Sequence, residues 1–273
     1  VAFEGGEDMK PVIPKVLFVT QNDRLYLPLF FDPVLAGLGD RAVCIVACPP
    51  FGRIHGGRLK GALRSAAMFG ARGTAVILCR SLRAAVLELL GRRTGDGFCS
   101  IRQLARHRSV PFHRISLVNS SEFASLVEMY APEVLVSVSF PQKVGRDVRR
   151  LFPSACLNVH NGPLPAYRGM MPTFWVLRNG EEVTASTVHF MTARIDDGDI
   201  LVQKPVPISP EETWDSLMKK TRKTSADALL EALEMIAGDR VDRIPNSREK
   251  ATWYSLPGKP DWKAFRTAGR RFF

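Results

Sequence analysis

Lys15-Val16-Leu17-Phe18-Val19-Thr20 is a short, continuously apolar run. It lacks the alternation of a strand with one wet face, so it fits a strand buried on both faces of a parallel sheet. The next segment, Gln21–Leu29, contains no glycine. It therefore lacks the G-x-G-x-x-G turn that lets a backbone approach a dinucleotide pyrophosphate, and no nicotinamide cofactor is expected there. Further apolar runs follow at Ala42–Ala47, Thr74–Cys79, Ile115–Val118 and Val134–Val138, each expected as a strand.

Helix-like stretches separate these runs. Ser100-Ile101-Arg102-Gln103 has the form of a capping box opening a short helix through Arg106. Within Ser121–Tyr130, Phe123, Leu126, Val127 and Tyr130 recur at helical spacing. Strand and helix alternate, which predicts an α/β fold: a Rossmann-like, mostly parallel sheet with helices on both faces. Between the strands, Phe51-Gly52-Arg53-Ile54-His55-Gly56-Gly57 reads as a loop, and Leu59–Phe69 and Leu82–Leu90 read as two helices. Leu82–Leu90 is apolar enough for a core or a membrane-surface helix, and core packing is the expected role.

Farther along, Thr184–Met191 and Ile200–Gln203 are β-rich, with Asp196-Asp197-Gly198-Asp199 in their connection. They read as a strand pair joined by an acidic loop. Ser209-Pro210-Glu211-Glu212 fits a helix start, and Trp214, Leu217, Met218, Thr221, Leu229, Leu233 and Ile236 form its inner face up to Gly238. The expected domain covers residues 14–238. Residues 239–273 follow as a short basic extension carrying Trp253, Tyr254, Trp262 and Phe265. Residues 1–13 are set outside the fold, and Met9 is a candidate native start.

Composition narrows the class. Hydrophobic residues are 45% and charged residues 24% of the 273, values of a globular chain. No apolar run approaches the ~18–20 residues that span a bilayer, so no membrane partner is expected. The formal charge of +11 favours anionic partners, although its scatter argues against a dedicated polybasic arm. Cys44, Cys48, Cys79, Cys99 and Cys156 have no zinc spacing; Cys44, Cys79 and Cys156 lie in strand-like runs as small hydrophobes. A reduced, cytoplasmic protein without a metal is expected.

The chemistry concentrates in Asn158-Val159-His160-Asn161-Gly162-Pro163-Leu164-Pro165-Ala166-Tyr167-Arg168-Gly169. Period-2 geometry puts Asn158 and His160 on one face of a strand end. An amide N–H can donate to an oxyanion, an imidazole can move a proton near neutrality, and a carboxylate can orient that imidazole. No serine or cysteine is placed to form a covalent intermediate. The set suits direct attack by an external nucleophile on a carbonyl. Taken alone the N-x-H pair is weak, because a lone strand-end histidine is more often structural.

Four linked motifs resemble the folate-dependent formyltransferase family. They are Asn158-Val159-His160, Leu164-Pro165-x-Tyr167-Arg168-Gly169, Thr187-Val188-His189-Phe190-Met191 and Asp196-x-Gly198-Asp199, in order over residues 130–205. The family includes methionyl-tRNA, glycinamide ribonucleotide and sugar-nucleotide N-formyltransferases. The resemblance implies a formyltransferase catalytic domain with Asn158, His160 and Asp196 as catalytic residues. Asp196 begins the D-x-G-D signature seven residues after His189, so it is favoured over Asp197. The implied formyl donor is 10-formyltetrahydrofolate, with Phe140, Gln142 and Val144 facing Met191, Thr192 and Ile195 around it.

Tyr167, Arg168 and Gly169 are the implied acceptor contacts. Arg168 could equally pin its own loop, and both readings stand. His189 is expected to pack rather than react, and His55, His107 and His113 to lie at the surface. The implied acceptor is a small, phosphate-bearing amine, with an amino sugar nucleotide leading. A charged initiator tRNA is favoured by the +11 charge and disfavoured by a tail too short for a tRNA-gripping barrel. A formyltetrahydrofolate hydrolase and a non-catalytic binding module are the remaining alternatives. A homodimer is left open.

Overall fold

A computed structural model describes residues 11–49, 57–95 and 97–273 of the chain. Its centre is a seven-stranded sheet in the order β3-β2-β1-β4-β5-β7-β8. The strands are β1 (Val16–Gln21), β2 (Ala42–Cys48), β3 (Phe112–Arg114), β4 (Val134–Val138), β5 (Ala155–His160), β7 (Val183–Phe190) and β8 (Ile200–Pro207). The first five in sheet order run parallel, and β7 and β8 join antiparallel to β5 and to each other. The mostly parallel α/β sheet expected from the alternating runs is the observed one. β6 (Arg168–Gly169) and β9 (Trp253–Tyr254) form a separate parallel pair.

Alternation along the buried strands builds a core on each face. Val16 and Phe18 point to one side, where α1 (Leu27–Leu38), α3 (Ile101–His107) and α7 (Trp214–Ala237) add Phe30, Leu104, Leu229 and Leu233. Leu17 and Val19 point to the other, toward Phe123 and Val127 of α4 (Ser121–Tyr130) and Val148 of α5 (Arg146–Arg149). A third cluster joins Phe174 and Trp175 of α6 (Pro172–Arg178) to Trp262 and Phe265 of α8 (Lys259–Thr267). The basic tail is thereby packed into the molecule. Among the described residues no helix is long and apolar enough to cross a membrane.

Several local expectations are corrected. Thr74–Cys79 is helical: it lies within α2 (Gly57–Leu89), which absorbs both separately expected helices and breaks only at Gly70, φ 71°. Its β-branched residues sit inside a long stretch of Ala, Leu and Arg, whose summed helix preference outweighs a short apolar run. Cys79 is accordingly exposed. The third strand is Phe112–Arg114 instead of Ile115–Val118, because β2 pairs Ile45 with Phe112 and Ala47 with Arg114 before the chain turns away.

α7 starts after Thr213, whose side chain and Ser216 form the capping box. Glu212 is drawn to Lys220 at 2.5 Å instead of opening the helix. Ser100 caps α3 as expected, accepting the Gln103 N–H. Residues 1–10 and the loop expected over Phe51–Gly57, with His55 and apart from Gly57, lie outside the described residues. His107 is exposed, whereas His113 is half-buried with Nε2 2.8 Å from the Tyr130 hydroxyl.

Candidate active site

The chain leaves β1 toward β2 on one side, and later enters β4 on the other. The crevice at their carboxyl ends is therefore free of any crossover, which is where open α/β sheets bind ligands. A cleft of about 1280 Å³ lies there. Its floor includes Asn158 and His160 at the end of β5, and Asp196 from the loop after β7.

Register sets the floor. Asn158 stands directly opposite His189 in the antiparallel β5–β7 pair. His189 Nδ1 donates to the Phe190 carbonyl at 2.9 Å, which leaves Nε2 as the acceptor for Asn158 Nδ2 at 3.1 Å. The same amide nitrogen donates to Asp196 Oδ1 at 3.3 Å. The expected packing histidine thus aims the Asn158 amide.

Asp196 is the hub. Its backbone is left-handed, φ 49°, and Gly198 allows the loop to fold back: a Cβ there would lie 2.0 Å from the Phe190 carbonyl oxygen. Asn246 from the tail donates to the carbonyls of Asp196 and Gly198 at 3.0 and 2.9 Å. Asp196 Oδ2 accepts the Gly169 N–H at 2.8 Å and lies 3.5 Å from His160 Nδ1. Oδ1 lies 3.5 Å from His189 Nε2. Burial alone would raise the carboxyl pKa. The facing His160 imidazole and the Gly169 N–H outweigh it and hold Asp196 well below the usual aspartate range.

His160 is equally constrained. Its Nε2 donates to the Tyr167 carbonyl at 2.8 Å while Nδ1 faces Asp196. An oxygen atom therefore stands opposite each ring nitrogen. Asn158, His160 and Asp196 form one connected polar group, with an amide donor, an oriented imidazole and a fixed carboxylate.

Two walls rise from this floor. Phe140, Gln142 and Val144 line one, and Met191, Thr192 and Ile195 the other, with Gly169 beside them. Gln142 accepts from the Val118 N–H at 2.9 Å and donates to the Ser116 carbonyl at 2.7 Å. Asn119 bridges the Gly145 N–H and the Lys143 carbonyl at 2.7 and 2.9 Å. The wall loop is laced to its neighbour rather than hanging free.

Tyr167 and Arg168 do not line the cleft with Gly169. The Tyr167 hydroxyl donates to Glu181, and its ring stacks on Tyr254 at 5.1 Å. Arg168 is 1% exposed and pairs with Asp197 at 2.5 Å. Its other amino group donates to the Asn246 carbonyl and side-chain oxygens at 3.1 and 2.7 Å. Neither side chain faces the cleft, and of the two readings of Arg168 its partners are those of the loop pin, tying its loop to the acidic loop and the tail. Asp197 is thereby the scaffold partner and Asp196 the one facing the cleft.

Residues 99–233 match the family described as Formyl transferase. That segment belongs to the formyltransferase family. A methionyl-tRNA formyltransferase from Desulforamulus reducens is 31% identical over 153 residues, covering 56% of this chain and 48% of that protein. The chain spans about half the length of the curated relatives it matches. Glycinamide ribonucleotide transformylase 1 from Symbiobacterium toebii aligns with a TM-score of 0.59 at 18% identity, over 85% of this chain and 94% of that one. The sugar 3N-formyl transferase WlaRD, solved in the presence of dTDP and 5-N-formyl-THF, aligns with a TM-score of 0.57 at 13% identity, over 89% and 70%. These two structures report on the fold.

The formyltransferase segment contains Asn158, His160 and Asp196, whereas β1, β2 and α2 precede it. One part of the cleft was missing from the sequence reading. Asn22 and Asp23 after β1, Ser139 after β4 and Arg222 on α7 also line it. Arg222 donates to Ser139 Oγ at 2.5 Å, and its buried Nε has no hydrogen-bond partner among the described residues. Burial pushes its pKa down to about 10 against the pull of Asp23 and Tyr26. The position of Asn22 and Asp23 at the carboxyl end of the first parallel strand was the available signal.

Proposed function

We propose that the chain transfers the formyl group of 10-formyltetrahydrofolate to the primary amine of a small, phosphate-bearing acceptor, with an amino sugar nucleotide as the leading class. The observation that carries this reading is the convergence of Asn158, His160 and Asp196 on the floor of one cleft. The walls fit the donor: Phe140, Val144, Met191 and Ile195 offer apolar surface for a flat ring, and Ile195 is 57% exposed, open to cover one.

Bound 10-formyltetrahydrofolate supplies an activated formyl carbon. The acceptor nitrogen attacks it, forming a C–N bond as the bond to the folate nitrogen breaks. Negative charge developing on the formyl oxygen is met by an N–H of the Asn158 amide and by the nearby positive charge of a protonated His160, whose own N–H groups face the Tyr167 carbonyl and Asp196. One proton leaves the amine and one arrives on the folate nitrogen, relayed through His160 or a water held by Asp196. Asn158 Nδ2 makes long contacts at 3.1 and 3.3 Å, so it can re-aim when a stronger acceptor arrives.

The nucleotide sugar reading draws support from WlaRD and its dTDP. A second reading, a charged tRNA acceptor, is favoured by the methionyl-tRNA formyltransferase relatives and by the +11 charge. Incubation with 10-formyltetrahydrofolate, a panel of amino sugar nucleotides and charged initiator tRNA, followed by mass spectrometry, separates them. A formyl group on a sugar amine supports the leading reading, and one on tRNA alone replaces it. Folate turnover without an acceptor product indicates a hydrolase.

A further inference from the structure

The outer face of α2 inverts the usual polarity of a surface helix. Leu78, Leu82, Val86, Leu89 and Leu90 are 63%, 67%, 46%, 86% and 64% exposed. Helical spacing aligns them with Ala71 and Ala75 in one strip of about 28 Å. The polar contacts lie on the inner side. Glu88 takes Arg24 and Ser100, and Arg80 pairs with Asp215 at 2.6 Å. Core packing was expected of Leu82–Leu90, and these leucines face outward instead.

The rim of the strip is basic. Arg72 and Arg83 flank it and Arg92 follows its end, all exposed and without an ion-pair partner among the described residues. Glu88 is the only acid between residues 57 and 95, and it is turned inward. A contiguous apolar strip of this size marks an interaction surface. Leucines bordered by arginines match an interfacial helix, whose apolar side enters the headgroup–acyl boundary while the cations meet lipid phosphates.

We propose that this face of α2 binds an anionic lipid surface. Charge decides the occupant. A second copy would press the same arginine rim against itself, on a chain already at +11. An anionic bilayer complements both the strip and the rim. The other side of the helix lines the cleft through Phe69, Ile77 and Ser81. One helix therefore separates the cleft from the bound surface. α2 also precedes the formyltransferase segment, so this proposal stands apart from the choice of acceptor.

The full chain is sedimented with vesicles of phosphatidylcholine alone and of equal phosphatidylcholine and phosphatidylglycerol, and its mass is measured by light scattering. Wild type is expected to bind the anionic vesicles, to bind neutral ones weakly and to be released by salt. Leu82→Glu with Leu89→Glu is expected to lower the bound fraction by about tenfold or more at unchanged thermal unfolding, since both side chains are exposed. No binding by wild type, or equal binding by the double variant, overturns the proposal. A wild-type dimer that the double variant converts to monomer assigns the strip to a second copy.

Discussion

Asp196 Oδ2 accepts the backbone N–H of Gly169 at 2.8 Å, from the loop that follows β5. The same oxygen lies 3.5 Å from His160 Nδ1. One carboxylate therefore fixes a loop and an imidazole together. This coupling makes the acidic loop part of the site's architecture as well as of its chemistry.

The coupling has a pH signature. The Asp196 pKa is depressed in the folded state, so folding favours its ionised form. That stability is fully present above the unfolded aspartate pKa of ~3.9 and is lost as pH falls from there toward the folded value. Unfolding midpoints measured from neutral to strongly acid pH should drop less below about pH 4 in Asp196→Asn than in wild type. Parallel curves would remove Asp196 from the acid-sensitive set.

Gly169 should resist any side chain. Its φ is 96°, and a Cβ would lie 2.2 Å from the Tyr254 carbonyl oxygen. Gly169→Ala must push β6 away from β9 and lift the N–H off Asp196. The expected cost is about 1–3 kcal/mol, with a fall in turnover larger than that stability loss explains. Thermal unfolding and steady-state rates of the variant read the two effects separately.

Arg168 should act as a stability residue. Removing its side chain leaves Asp197, among the described residues, with the exposed Arg248 as its remaining charged partner. Arg168→Met should cost about 3 kcal/mol, a midpoint shift of roughly 6–12 °C. Arg168→Lys should recover little, since a single ammonium cannot span Asp197 and Asn246 together. A variant of unchanged midpoint with a raised acceptor KM would return Arg168 to the acceptor.

Gln142 should govern donor affinity. Its carboxamide ties the wall loop to residues 116–118 by two hydrogen bonds. Gln142→Leu frees that loop without touching Asn158, His160 or Asp196. The donor Kd, from calorimetric titration, should weaken about tenfold, equivalent to about 1.4 kcal/mol, with little change in kcat.

The sheet was legible where one local signal decided each strand. β1, β2 and β4 are continuous apolar runs, and only a doubly covered strand accommodates such a run. α2 was misread because Thr74, Val76 and Ile77 favour strands in isolation, whereas the surrounding helix formers decide the outcome. Asn158 and His160 could be paired from their spacing alone. The role of Arg168 could not, because it depends on Asp197 and Asn246, which are remote in sequence. Arg222 reaches the cleft only through the packing of α7 against the sheet.

The most direct test is single-turnover formyl transfer with saturating donor, comparing wild type with Asn158→Ala, His160→Ala and Asp196→Asn. Each variant should fall by about 10²–10⁴-fold while donor Kd stays near wild type and the protein remains folded at the assay temperature. In Asp196→Asn alone the midpoint should fall, by the stability the ionised carboxylate contributes. Near-wild-type rates in all three would contradict a site built on these residues.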